Sequence, residues 1–559
     1  MRSTFLALAA ALIASPAWPT TVINNVNGIQ VGADGVLERF SGLVIDDDGK
    51  VVQVIPEGVM MKLAGVDKVV DGGGRTLLPG LIDAHGHVMG LGEAAIQLDL
   101  VGSSSLEELQ QRLRAYAAAN SDLAWIVGRG WNQELWPDKR FPNAADLDAA
   151  VADRPVVLER VDGHAAVANS AALKAAGITA ATKDPAGGTI ERDARGNPTG
   201  LLIDSASELV ESKVLEPSRA QFDAALAAAQ QAILSYGVTA VADMGTSVEA
   251  WSAFRHAGET GRLNLRIIAY AADVGPMRTI VPKGPTPWLY GDRLRMGGIK
   301  IYGDGALGSR GAWLKRPYAD KPDTSGLRFL TDEELRAKVE EAARAGIQPA
   351  VHAIGDAANA QVIGAYEWLQ QRYPGDRRWR IEHFQIADPA DIPRLAPAGI
   401  IASMQPVHQT SDRLMAEKRL GPDRLAGAYA WQSVLKSGAR LAFGSDFPVE
   451  SPNPFPGLAA AVSRQDMNGQ PPGGWIPSER LTFEQALKAF TRDAAYAGFA
   501  EGKIGSLEPG KWADFILVDR DVSAADAQSL ARTQVLETWV AGKKVWERPA
   551  NAAGGERGK

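Results

Sequence analysis

The central part of the chain alternates short apolar segments with amphipathic ones, and this alternation constrains the fold more than any other feature. The predicted strands are 76–84, 239–244, 265–271, 298–302, 348–353, 378–384, 400–405 and 440–445. The helices predicted most clearly are 220–236, 332–345 and 483–496. Thr331 with Glu334 and Thr482 with Gln485 form capping boxes, a pattern that starts helices. Eight strands alternating with helices indicate an α/β fold of the (β/α)8 TIM-like barrel type, with a doubly wound open sheet as the alternative.

The barrel is predicted to span residues 80–499 of a chain that is longer than a usual single domain. The stretch from about 100 to 215 is too long for one strand–helix unit, so it is interpreted as an α-rich insertion after strand 1. Its predicted helices are 106–119 and 170–176.

Both ends of the chain are strand-like, in segments 20–79 and 500–548. Asp48-Gly49 is a hairpin turn signal between two apolar runs, and Gly542-Lys543 is a similar turn near the other end. The two segments are predicted to form one small β domain.

The N-terminus has the pattern of a secretory signal peptide at residues 1–17: Arg2, a short apolar run and a small-x-small site ending at Ala17. A buried N-terminal helix is the alternative. A secreted or periplasmic location is therefore expected. No later stretch reaches the roughly 18 apolar residues of a membrane span, so no membrane anchor is expected.

The net charge of −7 and the lack of basic blocks argue against nucleic acid as the main partner. The chain has no cysteine, so a transition metal would need histidine or carboxylate ligands.

Four of the seven histidines lie at or just past predicted strand ends. His85 and His87 are separated by one residue, so on a strand both imidazoles point to the same face. His352 and His383 each end a predicted strand. Alone, the pair could be a polar strand face, and a single histidine is more often a hydrogen-bonded core residue. Four converging on the catalytic end of a barrel favour a metal site.

Two further residues fit such a site. Asp446 follows a predicted strand; a turn or helix-cap role is its alternative. Lys300 lies inside an apolar strand, where an ammonium is costly unless paired or neutralised. It could form a buried ion pair with Asp304 or Asp243, or its amine could take up carbon dioxide to give a carbamate that bridges two cations.

The order of these residues resembles that of the amidohydrolase superfamily, whose two-metal sites take ligands from barrel strands one, four, five, six and eight. Segment 505–514 is similar to that superfamily's return into a β-sandwich domain. Segments 129–131, 162–164 and 304–310 resemble the branch that contains N-substituted formamide deformylases. The likeness covers nearly all of the chain after the signal peptide.

The resemblance implies two divalent metal ions, with zinc expected. His85, His87 and Asp446 would bind the more buried ion, His352 and His383 the second, and carboxylated Lys300 would bridge them. A mononuclear site is the fallback if Lys300 is unmodified.

The implied reaction is hydrolysis of an amide-type C–N bond, other than an ordinary peptide bond, in a small N-substituted or N-acyl substrate. A metal-activated hydroxide would attack, with Asp446 as base and then acid. The same site acting on an ester or lactone, or in isomerisation, is one alternative. A non-catalytic binding protein on the barrel is another, and a homo-oligomer is left open.

Further residues are assigned weaker roles. His164 could stabilise an oxyanion, or could be structural. Arg310 could pair with a substrate carboxylate, or form a surface ion pair. Trp131 could line an apolar pocket, or pack inside the insertion. Asp304 and His408 complete the predicted substrate-binding set, with His408 expected at the rim.

Overall fold

The structure, a computed structural model, describes residues 21–59, 68–160, 163, 165–185, 188–214 and 218–549. The chain divides into two compact units, of which one comprises Met89–Ala229 and the other comprises the residues up to Val88 and from Gln230 onward. The predicted signal peptide at 1–17 and His164 lie outside the described residues.

Six strands precede the barrel. They are β1 Thr21–Asn24, β2 Asn27–Val31, β3 Leu37–Ile45, β4 Val51–Pro56, β5 Lys68–Asp71 and β6 Thr76–Pro79. β3 and β4 pair antiparallel around the predicted turn, where Gly49 has a φ of 86°. The segment predicted as one strand at 76–84 is two, because Gly80 separates β6 from β7 (Leu81–Gly86), the first barrel strand. A Cβ at Gly80 would lie 2.2 Å from Oγ1 of Thr239, so only glycine fits at this crossing.

The unit Met89–Ala229 is built on a six-stranded sheet. In chain order its elements are α1 Val88–Ile96, β8 Leu98–Asp99, α2 Leu106–Ala119, β9 Ile126–Trp131, α3 Ala144–Asp148, β10 Val156–Arg160, β11 Ala165–Ala168, α4 Ser170–Ala175, β12 Gly188–Arg192, β13 Pro198–Asp204, α5 Glu208–Glu211 and α6 Arg219–Ser235, which runs past the end of the unit. The strand order is β12-β13-β11-β10-β9-β8. α2 and α4 occupy the predicted helix positions, but the sheet is not predicted, so an α-rich description of this region is incomplete.

The remaining barrel strands follow one another around the sheet in chain order from β7. They are β14 Val238–Thr246, β15 Arg266–Ala272, β16 Leu294–Tyr302, β17 Gln348–Ala353, β18 Trp379–His383, β19 Ile400–Met404 and β20 Arg440–Phe443. Every neighbouring pair is parallel. The strands are nearly continuous buried runs, as expected when both faces of a parallel sheet are covered. The barrel prediction is confirmed, with the sheet closed except at one seam.

The seam lies between β7 and β20, which end the eight-stranded sheet without pairing with each other. The buried carboxylate of Asp83 bridges it, because it accepts hydrogen bonds from the Ser445 hydroxyl at 2.6 Å and from the backbone N–H groups of Ser445 and His85 at 3.0 Å. The backbone N–H of Asp446 also donates to the His85 carbonyl at 2.7 Å. A Cβ at Gly444 would lie 2.5 Å from the His85 nitrogen, so this close approach requires glycine.

The helices after the first barrel strands are also given in chain order. They are α7 Val248–Glu259, α8 Val274–Ile280, α9 Asp332–Arg344, α10 Asp356–Arg372, α11 Pro406–Leu420, α12 Trp431–Lys436, α13 Pro454–Ser463, α14 Phe483–Ala489, α15 Arg492–Ala497 and α16 Ala527–Ala531. Both predicted capping boxes form, at the starts of α9 and α14. The helix predicted at 483–496 is broken at Thr491, whose φ of −132° and ψ of −92° are not helical. None of the described helices is long and apolar enough to cross a membrane.

Three C-terminal strands complete a nine-stranded sheet with the first six. They are β21 Phe515–Val518, β22 Val535–Val540 and β23 Lys543–Glu547. The order is β23-β22-β21-β6-β2-β3-β1-β5, with β4 on β3. β21 pairs antiparallel with β6, so strands from both ends of the chain lie in one sheet. Its core includes Ile23, Leu43, Phe515 and Trp539.

Candidate metal centre

The predicted ligands meet at the carboxyl rim of the barrel, because the strands that carry them are parallel and end at the same edge. They are His85 at the end of β7 and His87 just after it, Lys300 in β16, His352 in β17, His383 ending β18, and Asp446 just after β20. All except His87 are buried.

His85, His87 and Asp446 form the first potential ligand group. Nε2 of His87 lies 3.1 Å from Oδ1 of Asp446, and Nε2 of His85 lies 3.4 Å from the same oxygen. One ligand atom from each of the three residues falls within 4.8 Å of the others, so together they could hold a metal ion.

The second oxygen of Asp446 faces His383 and His408. Oδ2 lies 3.9 Å from Nδ1 of His383 and 3.8 Å from Nε2 of His408. One ligand atom from each of these three residues lies within 4.8 Å of the others, so they too could share an ion. His352 packs beside His383 with ring centroids 4.5 Å apart, and its buried Nε2 has no hydrogen-bond partner among the described residues. The carboxylate of Asp446 therefore lies between two clusters of imidazoles.

Lys300 lies beside the first cluster. Its Nζ donates a hydrogen bond to Nε2 of His85 at 3.0 Å, and no carboxylate of a described residue lies within ion-pair distance of it. Lys300 therefore forms no ion pair with Asp243 or Asp304. The carboxylate of Asp243 instead accepts hydrogen bonds from the Val88 N–H and the Thr246 hydroxyl. Burial lowers the pKa of Lys300 to about 8, which increases the fraction of neutral amine at neutral pH.

Asp304, the other proposed partner of Lys300, accepts hydrogen bonds from backbone N–H groups instead. Its carboxylate accepts from the N–H groups of Trp313, Ile354 and Gly355 at 2.8–2.9 Å. It is fully buried, and burial raises its pKa to about 7. Asp304 therefore fixes the loops after β16 and β17, and its contact with substrate stays a prediction. Its Oδ1 also lies 3.5 Å from Nε2 of His352.

A buried ion pair orients His85. Its Nδ1–H donates to Oε2 of Glu382 at 2.6 Å, which leaves the lone pair on Nε2, where it faces Asp446 and accepts the hydrogen bond from Lys300. Glu382 in turn accepts two hydrogen bonds from Arg380, at 2.7 and 3.0 Å. Burial opposes ionisation of Glu382, but Arg380 and His85 outweigh it and hold the pKa of Glu382 below its usual range.

His383 is oriented by an amide. Its Nδ1–H donates to Oε1 of Gln405 at 2.9 Å, so its Nε2 also keeps a free lone pair. His383 and Asp446 have φ values of 75° and 63°. This left-handed conformation costs about 1–2 kcal/mol for a non-glycine residue. Its occurrence at two predicted ligand positions is typical of strained functional sites.

Burial keeps the imidazoles of His85, His352 and His383 neutral. It lowers the pKa of His85 to about 4 and that of His352 to about 3, and it holds the pKa of His383 well below its ordinary value. Burial opposes ionisation of Asp446, but the histidines around it, His85 first, keep its pKa well below the usual range. Neutral imidazoles beside an ionised carboxylate are the protonation states that bind a divalent cation.

The other predicted substrate contacts have different surroundings. Arg310 makes a two-bond pair with Asp320, at 2.9 and 3.2 Å, as in the surface ion-pair alternative. Trp131 is fully buried and donates to the Leu158 carbonyl, which corresponds to packing within its own unit. His408 is buried beside Asp446, with Nε2 3.8 Å from Oδ2 of that carboxylate.

Sequence reasoning did not identify Arg380, Glu382, Gln385 or Gln405. The first two offered a signal: opposite charges two positions apart in an apolar strand share a face, so they could pair there. The glutamines lie just after β18 and β19, and no sequence pattern distinguishes them from ordinary loop residues.

A parallel barrel with imidazole and carboxylate ligands at its carboxyl rim is the arrangement of a metal-dependent hydrolase. The chain belongs to the amidohydrolase family, whose sequence model matches residues 68–546.

Three similar proteins support this placement. "Protein LONG AFTER FAR-RED 3" of Arabidopsis thaliana is 37% identical over 85% of this chain and 82% of its own length. The N-substituted formamide deformylase of Arthrobacter pascens is 29% identical over 90% of this chain and 95% of its own. The crystal structure of an uncharacterized metal-dependent hydrolase from Pyrococcus horikoshii superposes with a TM-score of 0.77 at 29% identity, over 91% of this chain and 99% of that one. The predicted likeness to formamide deformylases is confirmed.

Proposed function

We propose that this chain hydrolyses an amide-type C–N bond in a small N-substituted or N-acyl substrate. The observation that carries the proposal is the position of Asp446, with one carboxylate oxygen toward His85 and His87 and the other toward His383. The similarity to an N-substituted formamide deformylase supports a C–N bond as the target.

Two divalent ions, with zinc as the expected metal, fit the residues present. His85, His87 and Asp446 would hold one, and His352 and His383 the other. The lone pairs left on His85 and His383 and the unpartnered Nε2 of His352 agree with this assignment. Carboxylation of Lys300 would supply the anion that bridges the two ions, and its lowered pKa favours the neutral amine that reacts with carbon dioxide.

The ions would polarise the substrate carbonyl and lower the pKa of a water molecule. Asp446 accepts a proton from the attacking water as the new C–O bond forms. It then delivers that proton to the leaving nitrogen as the C–N bond breaks, so the carboxylate is regenerated. Its low pKa keeps it ionised and ready to accept a proton at neutral pH.

The location and domain organisation are also proposed. Residues 1–17 would be removed as a signal peptide and the mature protein would be secreted or periplasmic. The nine-stranded sheet would be the β-sandwich domain, and the unit Met89–Ala229 would correspond to the insertion predicted at about 100–215.

A hydrolysis panel tests the function. The full chain, loaded with zinc and assayed for metal content, is incubated with N-substituted formamides, N-acyl amino acids and esters that carry the same acyl groups. Amine release from at least one amide is expected, and Asp446→Asn should abolish most of it. Hydrolysis of esters alone would show that the bond class is misassigned. A metal-loaded protein that cleaves no panel member would favour the non-catalytic alternative.

A further inference from the structure

Two histidines next to the same carboxylate oxygen are oriented by glutamines of opposite hydrogen-bond polarity. Nδ1 of His383 lies 2.9 Å from Oε1 of Gln405, the carbonyl oxygen of an amide. Nδ1 of His408 lies 3.0 Å from Nε2 of Gln385, the nitrogen of an amide.

This difference fixes different tautomers. A carbonyl oxygen only accepts, so His383 carries its proton on Nδ1 and has a lone pair on Nε2. An amide nitrogen only donates, so His408 has its lone pair on Nδ1 and its proton on Nε2. His383 and His85 can therefore bind a cation through Nε2, whereas His408 directs an N–H group toward Asp446.

The N–H of His408 has no partner of its own. Nε2 is buried, has no hydrogen-bond partner among the described residues, and lies 3.8 Å from Oδ2 of Asp446, beyond hydrogen-bond distance. The amide nitrogen of Gln405 is a second buried donor without a described partner. Buried donors are rarely left unpaired in a native protein, so a further acceptor is expected next to Nε2 of His408.

The backbone around His408 also favours an electron-rich oxygen. His408 lies in the first turn of α11, a helix of 15 residues with no capping side-chain bond and no acidic residue in its first turn. The N-terminus of such a helix stabilises negative charge. The N-terminus of α11 and Nε2–H of His408 therefore both favour an acceptor oxygen beside Asp446.

We propose that His408 donates its Nε2–H to the carbonyl oxygen of the scissile bond, stabilising the negative charge that develops there, and that it is not a metal ligand. This role rests on the proposed hydrolytic function. His408 keeps its proton throughout, because proton transfer is carried out by Asp446. The competing role is a third ligand beside His383 and Asp446, which would require a lone pair on Nε2 and an N–H on Nδ1 facing the N–H of Gln385.

Two measurements test the assignment without any substrate. Histidine ring ¹⁵N chemical shifts of the zinc-loaded and metal-free protein should show His408 protonated on Nε2 in both forms, and His383 protonated on Nδ1. His408→Ala should retain the wild-type number of bound zinc ions, whereas His383→Ala should lose one. A bare or zinc-bound Nε2 on His408, or loss of zinc from His408→Ala, overturns the proposal even if the hydrolysis panel is negative.

A matched pair of variants tests whether the amides of Gln385 and Gln405 set the tautomers of the two histidines. Gln385→Glu replaces a donor with an acceptor and should move the proton of His408 to Nδ1, whereas Gln405→Glu keeps an acceptor and should leave His383 unchanged; the ¹⁵N shifts report both. With an amide substrate, Gln385→Glu and His408→Ala should each lower kcat by about 10²–10³-fold, the usual effect of removing one oxyanion donor, with a smaller change in KM. An unchanged kcat in either variant, with hydrolysis by the wild type, contradicts the proposal.

Discussion

Replacing Glu382 with glutamine should lower the free energy of unfolding, because Arg380 would be left charged and unpaired in the barrel. Both side chains are fully buried and joined by two hydrogen bonds. Removing one partner of a buried ion pair usually costs about 3–5 kcal/mol. Arg380 would keep acceptors at the Ala84 carbonyl, the Ser403 hydroxyl and the Tyr270 hydroxyl. We therefore expect the lower end of that range, about 3 kcal/mol, for Glu382→Gln.

The substitution should also weaken metal binding. Oε2 of Glu382 accepts from Nδ1–H of His85 and from one N–H of Arg380, and Oε1 accepts from a second N–H of Arg380. A glutamine has only one accepting atom and would turn its own N–H group toward one of these donors, so the bonds to His85 and Arg380 cannot all be kept. Loss of an outer partner of a metal-ligating histidine typically costs 10–100-fold in affinity, or about 1.4–2.7 kcal/mol.

Urea unfolding of the metal-free protein and zinc competition with a fluorescent chelator measure the two effects separately. The control is Arg380→Met combined with Glu382→Gln, which removes the unpaired charge. The double variant should be more stable than the single variant, because replacing both members of a buried pair is often nearly neutral. A loss below about 1 kcal/mol in the single variant, or a double variant that is less stable than it, would refute the reasoning.

Three other substitutions test the site. Asp446→Asn should lower turnover by about 10²-fold or more, as expected for loss of an acid–base group, measured by steady-state kinetics on protein of known zinc content; wild-type turnover would exclude Asp446 as the proton carrier. Lys300→Ala should lower zinc stoichiometry, and growth with ¹³C-bicarbonate should give a carbamate ¹³C signal in the wild type only; its absence from fully zinc-loaded wild-type protein would contradict a carboxylated lysine. Arg310→Ala should change kcat/KM by less than about 3-fold, because its guanidinium is paired with Asp320 and exposed pairs contribute 0–1 kcal/mol; a large rise in KM for anionic substrates would instead indicate that Arg310 contacts them.

The barrel could be predicted because its strands are short apolar runs between helices with clear starts. Where prediction was incomplete, a single residue or a tertiary contact decides the structure. Gly80 divides an apolar run between two sheets, since only there must the chain cross closely over Thr239. Thr491 breaks a helix whose sequence pattern is continuous. The short strands of the unit Met89–Ala229 are not distinguishable from buried helix segments by periodicity alone.

The histidines of the candidate metal centre could be predicted because histidine is a rare residue in this sequence. A histidine at a strand end is therefore informative, as at His352 and His383. The partners that orient them are common residue types, and their role depends on which atom faces the ring. Neither the pairing of Glu382 with His85 nor the opposite orientations of Gln385 and Gln405 can be read from residue identity.

The unpaired seam between the first and last barrel strands has a mechanical consequence. His85 and Asp446 stand on opposite sides of it, held together by the side chain of Asp83 and a short set of backbone bonds rather than by a full strand ladder. A small local separation of β7 from β20 would move these two predicted metal ligands apart while the seven strand pairings of the barrel stay intact. Cation binding and closure of the barrel are therefore coupled, and an ion bound by His85 and Asp446 would hold β7 and β20 together at the seam.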